Sequence, residues 1–310
     1  MLYRVGVVAA NSYRENVRAR VLHGLFGLAV ATAGYALVVG AYALRDTLRV
    51  VSDLGAAAIS FYGLIVAVVI GATSLFRELE LKTVFPILAR PIRRWEYLVG
   101  KFLGSWLTLG VFIFVNTGIL QSAVAVLSGR SIWLVVSVWG TSFGVLGAGM
   151  RWLPQHRTFA LVPWALLVFA MGWWLARPAP DDCQVLAASA TLTLCEVAVV
   201  SAVTLVFASF SSPFLTAILT FGVVVVGRSA DTLTHLPVRV FGSLIVRVAS
   251  LIAKGVPNLM IYLPPRGLLT GELPGITVLG YVVRSGFYAF AWCAVLLVVA
   301  GSIFERRDFQ

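Results

Sequence analysis

Long apolar runs separated by short polar stretches dominate the pattern of this 310-residue chain. A helix that crosses a bilayer needs about 20 mostly apolar residues. Transmembrane β-strands would instead alternate apolar and polar positions over about ten residues. Eight runs have the helical pattern and lie near residues 22–43, 55–76, 99–127, 131–149, 158–176, 185–209, 212–228 and 284–303. The pattern therefore predicts an all-α, polytopic transmembrane helical bundle of about eight spans, forming a single domain over residues 1–310.

The strongest polar interruption is the segment 77–101, which contains nine charged residues. Its apolar positions, among them Leu79, Val84 and Leu88, fall near helical spacing, whereas Pro91 cannot continue a helix. Such a segment cannot cross a bilayer and must lie in or just outside it. We therefore predict a short amphipathic helix that offers a surface to a soluble partner.

Two further segments are predicted to add helices to the bundle, one in the membrane interface and one as an additional helical pair. Residues 1–21 have the pattern of an interfacial helix that leads into the first span, although a plain basic flank would look similar. Residues 131–176 form a Trp- and Gly-rich helical pair that turns near Pro154.

The longest non-spanning stretch, residues 229–283, is predicted to be an external loop that contains an amphipathic helix. The helix has a polar and basic stripe that recurs at steps of three or four, formed by Arg239, Ser243, Arg247, Ser250 and Lys254. We expect it to lie on the outer membrane surface or to cap the bundle. Gating, or contact with lipid-like headgroups, is the alternative role.

Composition agrees with a membrane protein. Hydrophobic residues make up 60% of the chain, charged residues only 12%, and the mean hydropathy is +0.94, whereas soluble domains average about 25% charged residues. The net charge is +11, but the basic residues lie in loops at membrane boundaries. This placement favours contact with anionic membrane lipid, and we expect no nucleic-acid partner.

The distribution of basic residues predicts the orientation. With the N-terminus in the cytoplasm, the short cytoplasmic segments contain 14 Lys and Arg residues, against four in the short external segments. The positive-inside rule then places both termini in the cytoplasm of a multi-pass protein in the cell inner membrane. The first residues are charged, so we expect no cleavable signal peptide.

No pattern of catalysis or cofactor binding is evident in the sequence. The only Gly-Lys pair, Gly100-Lys101, has Trp95 and Phe102 where a phosphate-binding loop needs Gly and Ser or Thr. We therefore expect no enzymatic activity, and no cofactor or metal bound by this chain. Asp181-Asp182 follows two prolines, which is typical of a solvated turn.

Three polar residues inside the spans are candidates for a translocation or gating role. Glu196 lies half-way along the run 185–209 with no basic residue within a helical turn, and Asn116 and Gln121 share the third run. Ionisable groups at membrane depth are costly and often functional. Hydrogen bonding between helices is the alternative, and a proton- or ion-linked Glu196 would suit an ATP-independent transporter or scaffold.

The segment 77–101 resembles the loop between the second and third spans of type-2 ABC transporter permeases. The similarity extends to Pro213 and its preceding Ser-rich turn, to Pro257-Asn258, and to the tail from Phe304. It is closest to the branch with the nitrous-oxide-reductase maturation and gliding-motility permeases. The matching positions in the segment are Arg77, Glu78, Glu80, Thr83, Leu88, Pro91, Arg94, Tyr97, Gly100 and Lys101.

The resemblance implies a permease that works with a partner ATPase. It implies a six-span core, to which residues 131–176 add an extra pair, and a coupling helix within 77–97. Two permease subunits, in a homodimer or a heterodimer, would pair with two cytosolic ATPase subunits that hold ATP and Mg²⁺. Their work would be export of an unknown substrate or mechanical work across the membrane. The residues implied to dock the ATPase are Glu78, Glu80, Thr83, Leu88, Pro91, Arg94, Gly100 and Lys101.

Overall fold

The computed structural model describes residues 2–43, 46–80, 93–152, 157–237, 240, 242–272 and 275–305, with the backbone alone at 2 and 75–80. Every regular element within these ranges is helical. The helices are α1 (Leu2–Val17), α2 (Arg20–Tyr42), α3 (Thr47–Glu80), α4 (Arg94–Leu127), α5 (Ile132–Trp152), α6 (Leu161–Leu175), α7 (Pro180–Ala208), α8 (Pro213–Arg228), α9 (Ala230–Thr234), α10 (Ser243–Gly255), α11 (Arg266–Leu269) and α12 (Val278–Glu305). A 3₁₀ turn, Met260–Tyr262, precedes α11.

The predicted all-α, polytopic bundle is confirmed. Each of the eight apolar runs corresponds to one helix, and six of these helices are long and apolar enough to cross a membrane. The other two, α6 and α8, are apolar but have only 15 and 16 residues. They are shorter than the roughly 20 residues that a bilayer requires of an upright helix.

The long helices α4 and α7 form the centre of the bundle. In their most apolar stretches 72% of residues are buried, against 17% in α2 and 11% in α5. The peripheral helices therefore leave most of their apolar side chains for lipid or for another protein. Because lipid is as apolar as these side chains, close packing and polar contacts must hold the helices together.

Both described termini lie at one end of the bundle, here named the terminal end. The Tyr13 hydroxyl donates a 3.1 Å hydrogen bond to the Thr158 carbonyl in the turn before α6. Arg94, at the start of α4, donates to the carbonyl of Glu305, where α12 ends. Burial raises the pKa of Tyr13, which keeps its hydroxyl a donor. The opposite end, named the distal end, contains the start of α7 and the connection 229–277.

Two glycines let α1 pack closely on α4. A Cβ at Gly100 would lie 2.6 Å from the Val8 Cβ, and one at Gly104 would lie 2.5 Å from the Ala9 carbonyl oxygen. This small-xxx-small spacing is a recurrent way for helices to approach in membranes. The predicted N-terminal helix thus corresponds to α1, and it is bound to the bundle; its place in the membrane interface stays a prediction.

The pair α5 and α6, within the predicted segment 131–176, attaches to α4 chiefly through α6. A Cβ at Gly118 would lie 2.6 Å from a Val168 methyl, and one at Gly172 would meet the Gln121 side chain. Helix α5 is joined to α4 by a 3.0 Å hydrogen bond from the Trp139 indole to Ser122. The pair therefore lies beside the core helices.

The connection 229–277 folds back onto the bundle. The Leu259 amide donates to the Gly227 carbonyl at 3.0 Å, and Tyr262 is buried. The predicted amphipathic helix begins at Ser243 as α10, while Arg239 lies outside the described residues. Several apolar side chains of α10 are exposed, namely Leu244, Ile245, Val248, Leu251 and Ile252. Its position on the outer membrane surface stays a prediction.

Candidate functional site

The predicted coupling segment joins α3 to α4 at the terminal end. Helix α3 ends at Glu80 and α4 begins at Arg94, so Glu78 and Glu80 lie in the last turn of α3. Residues 81–92 lie outside the described residues, and they include Thr83, Leu88 and Pro91. The docking role of all these positions stays a prediction.

Arg94 holds the end of α12. Its Nη1 donates to the carbonyls of Phe304 at 3.1 Å and Glu305 at 2.8 Å. The last carbonyls of a helix have no partner within that helix, and a basic side chain satisfies them and the negative end of the helix dipole. Tyr97, one turn later, stacks on Phe304 with ring centroids 6.3 Å apart. The start of α4 and the end of α12 therefore form one unit.

Lys101 connects α4 to α3. Its ammonium group is buried, donates to the Ser74 carbonyl at 2.8 Å and to the Ser74 hydroxyl at 2.7 Å, and lies 5.8 Å from the Tyr97 ring centroid. Gly100, beside it, is the close contact with α1. These two predicted docking residues thus lie inside the bundle, where Lys101 joins the two helices that flank residues 81–92 and Gly100 joins α4 to α1.

A buried ion pair lies between α3, α7 and α8. Glu196 is fully buried, and Arg228 binds both of its carboxylate oxygens, from Nε at 2.9 Å and from Nη2 at 3.0 Å. Ser60 of α3 donates to Glu196 at 3.2 Å and accepts from Arg228 at 2.6 Å. This geometry is the hydrogen bonding between helices that the sequence offered as the alternative role of Glu196. Its role in translocation or gating stays a prediction.

Sequence reasoning missed Arg228 as the partner of Glu196, although a signal was present. Helices α7 and α8 are joined by a short turn, so they run antiparallel. Glu196 lies 12 residues before the end of α7 at Ala208, and Arg228 lies 15 residues after the start of α8 at Pro213. Residues at similar distances from such a turn lie side by side. A search limited to one helical turn could not find this pair.

A second ion cluster lies at the distal end. Arg266 of α11 binds Asp53 of α3 and Asp182 of α7, and Ser52 donates to Asp182 at 2.8 Å. Burial by itself lowers the pKa of Arg266, but the hydrogen bonds to Asp182 and Asp53 outweigh it and raise that pKa. The Asp182 side chain is only 13% exposed. Its interpretation as a solvated turn residue was therefore wrong, because Arg266 arrives from a distant part of the chain.

A cavity of about 240 Å³, with both apolar and polar groups in its wall, lies between the two ion clusters. The Tyr262 hydroxyl has no hydrogen-bond partner among the described residues, and burial raises the pKa of Tyr262. A cavity of this size can hold water or a small polar group at the polar part of its wall. Its polar lining residues are Asp53, Ser60, Ser189, Thr193, Tyr262 and Arg266.

The other two candidates for the translocation path lie within α4. The Asn116 amide donates to the Phe112 carbonyl of its own helix at 2.8 Å. Gln121 is fully buried against Gly172, and its amide has no hydrogen-bond partner in the described part of the chain. The structure brings neither residue to Glu196 by a hydrogen bond that it describes, and their role stays a prediction.

Replacing Arg266 with glutamine is expected to lower the free energy of unfolding by about 1–3 kcal/mol, because Asp182 would lose its charged partner in a mostly buried place. Asp53 would also lose its ion pair with Arg266, but its side chain is 45% exposed, so water will offset part of that cost. Thermal unfolding of the purified chain measures the effect, and hydrogen exchange at 259–269 localises it. Arg247→Gln, at an exposed position of the same end, is the matched control; equal midpoints for the two variants would contradict the prediction.

The described residues contain no group of three or more His, Cys, Asp or Glu side chains that could hold a metal ion. No curated protein matches the sequence. A family model described as ABC-2 family transporter protein matches residues 5–309, which is nearly the whole chain. The resemblance found in the segment 77–101 is thereby confirmed at the level of the family, while the specific branch stays a prediction. This bundle of apolar helices belongs to the ABC-2 family of transporter proteins.

Proposed function

We propose that this chain is a permease subunit that converts ATP hydrolysis by a cytosolic partner ATPase into export of a substrate or into mechanical work across the membrane. Membership of the ABC-2 family makes it a membrane subunit of an ABC transporter, and such subunits generally work with a cytosolic ATPase and form dimers. ATP and Mg²⁺ would be held by the ATPase, and this chain would perform no catalysis and bind no cofactor of its own.

The observation that carries the proposal is the joined set of helices around residues 81–92. Lys101 joins α4 to α3, Arg94 joins α4 to the end of α12, and the contact at Gly100 joins α4 to α1. A push on the segment between α3 and α4 would therefore move four helices together. This arrangement suits a coupling segment, which must turn the movement of a soluble partner into tilting of spans.

The charge pattern supports a cytoplasmic position for the terminal end. Basic residues of α1 and of the start of α4 lie there, and under the positive-inside rule this favours a cytoplasmic side for both termini. An ATPase that docks on 77–97 would meet this face. We propose the inner membrane as the location on the same argument.

A second permease subunit would complete the transporter. Helix α8 presents a face of exposed apolar side chains at steps of four, three and four, formed by Phe214, Ile218, Phe221 and Val225. We propose that this face meets a second permease, in a homodimer or a heterodimer. Two-fold symmetry would then bring two ATPase subunits to the cytoplasmic side.

The test is Leu88→Ala in the affinity-tagged full chain, purified from its own host's membranes with the ATPase. Loss of an apolar anchor at the centre of an interface is expected to weaken the association about tenfold or more, and to reduce ATP hydrolysis stimulated by the permease. Leu251→Ala, at an exposed leucine of the distal end, is the matched control. ATPase recovery and stimulated hydrolysis equal to those of the control would refute the coupling role. Arg94 is less suitable for substitution, because its loss would also free the end of α12.

ATP-independent transport through Glu196 is not favoured by the geometry. A carboxylate that exchanges protons must be able to lose its cationic partner, whereas Glu196 is fully buried and bound by Arg228 through both oxygens. Uptake by the purified chain alone in liposomes, driven by a pH gradient, would reverse this preference.

A further inference from the structure

A second cavity, of about 430 Å³, lies at the distal end between the first turns of α12 and the folded-back connection. It is separate from the cavity between the ion clusters and from the helices around residues 81–92. The residues of its wall that bear on its chemistry are Thr277, Tyr281, Arg284, Ser285 and Tyr288.

The charged residue in the described wall of the cavity is Arg284, while the Asp231 carboxylate, outside the wall, interacts electrostatically with Tyr281. The residues that line it include Arg284 and no Asp or Glu. Arg284 is exposed, and its guanidinium makes no hydrogen bond or ion pair within the described part of the chain. A guanidinium presents several N–H donors in a planar fork that fits two oxygens of a phosphate or carboxylate.

Two hydroxyl groups add donors to the same wall. The Tyr288 hydroxyl accepts a 2.9 Å hydrogen bond from the backbone N–H of Asn258, and the Thr277 hydroxyl accepts one from the backbone N–H of Gly280 at 3.2 Å. Each hydroxyl oxygen is used as an acceptor, so its proton is available to a ligand. The wall therefore offers hydrogen-bond donors to a ligand that carries acceptor oxygen atoms.

The length of α12 would place Arg284 near the boundary between headgroups and hydrocarbon. Helix α12 has 28 residues and is about 42 Å long, while a hydrocarbon core is about 30 Å thick. Arg284 lies six residues, or about 9 Å, after the helix start at Val278. One turn deeper, Phe287 is 71% exposed and offers an apolar surface beside the cavity.

We propose that this cavity binds the phosphate of an anionic membrane lipid, with Arg284 as the anchoring residue and the acyl chains lying along Phe287. The phosphate group is the recognised chemistry, and the hydrocarbon surface beside it selects a lipid over free phosphate. The proposal does not depend on ATPase coupling, because neither the cavity nor its ligand involves the terminal end.

The experiment measures thermal unfolding of the purified full chain in neutral detergent, with phosphatidylglycerol, phosphatidylcholine or inorganic phosphate added. Phosphatidylglycerol is expected to raise the midpoint most, and Arg284→Gln to weaken its apparent affinity about tenfold or more. Arg284→Lys, which retains the charge but not the fork, should have an intermediate effect. Arg177→Gln removes one exposed charge just before α7 at the same end and should respond like the wild type.

Three outcomes would overturn the proposal. An unchanged response of Arg284→Gln would show that Arg284 does not anchor the lipid. An equal loss in Arg177→Gln would show a general effect of surface charge. Equal stabilisation by inorganic phosphate would show a site for a free anion. Mass spectrometry of lipid that co-purifies with each variant gives a second readout, in which Arg284→Gln should retain the least anionic lipid and Arg177→Gln as much as the wild type.

Discussion

Replacing Arg228 with glutamine is expected to lower the free energy of unfolding by about 3–5 kcal/mol, the largest effect of any single substitution proposed for this chain. The Glu196 carboxylate is fully buried, and Arg228 binds both of its oxygens. Without the arginine, the buried carboxylate would have only the Ser60 hydroxyl to stabilise its charge, or would have to take up a proton, and either change costs stability. Denaturant unfolding in mixed micelles measures the loss.

The double variant Glu196→Gln/Arg228→Gln distinguishes two causes of the stability loss, an unpaired buried charge and lost packing. With both charges removed, no ion is left unpaired, so the double variant should be more stable than Arg228→Gln alone by about 1–3 kcal/mol. Glu272→Gln, at an exposed position, controls for general effects of charge. If the second substitution lowered stability further, the ion pair would not be the source of the effect.

The second large effect is expected at Gly104. A Cβ there would lie 2.5 Å from the Ala9 carbonyl oxygen and 2.7 Å from the Ser12 Cβ. The oxygen belongs to the backbone of α1 and cannot rotate away, so the whole helix must shift. Gly104→Ala should cost about 1–3 kcal/mol, and Gly104→Leu should separate α1 from α4.

Proteolysis and cross-linking can detect this separation. Limited trypsin digestion in the first 18 residues should be faster in Gly104→Leu, and a disulfide between cysteines at Asn16 and Ser105, which are in contact in the structure, should form less readily. Gly110→Ala in the same helix is the matched control, since its Cβ would lie 3.7 Å from the nearest atom, an ordinary contact. Equal cleavage in both variants would contradict a role for Gly104 in the attachment of α1.

The same variant links the fold to the proposed function. If α1 moves with α4 during coupling, Gly104→Leu should reduce ATP hydrolysis stimulated by the permease while the ATPase still binds through residues 77–97. Loss of ATPase binding as well would place α1 in the docking surface itself. The two readouts therefore separate transmission of movement from docking.

The sequence by itself determined the class of the protein and its helices. The eight apolar runs could be counted because hydrophobicity over about 20 residues is a local property that the bilayer selects directly. The family could likewise be found in a local pattern, which runs from Arg77 to Lys101. The helix Ser243–Gly255 was visible because the spacing of its polar stripe is also local.

Only the tertiary structure decided what the polar residues in these helices do. Glu196 meets Arg228 across a helical hairpin, Asp182 meets Arg266 from the folded-back connection, and Lys101 turns inward to Ser74. In each case the partners are separated by at least 27 residues, and their meeting depends on which helix faces pack together. Apolar periodicity predicts that a helix will be buried but does not determine which helix packs against it, because many partners would bury the same apolar area. Charges and hydroxyls discriminate among those neighbours, since a buried polar group needs a partner, and that partner can be identified only when the helices are in place.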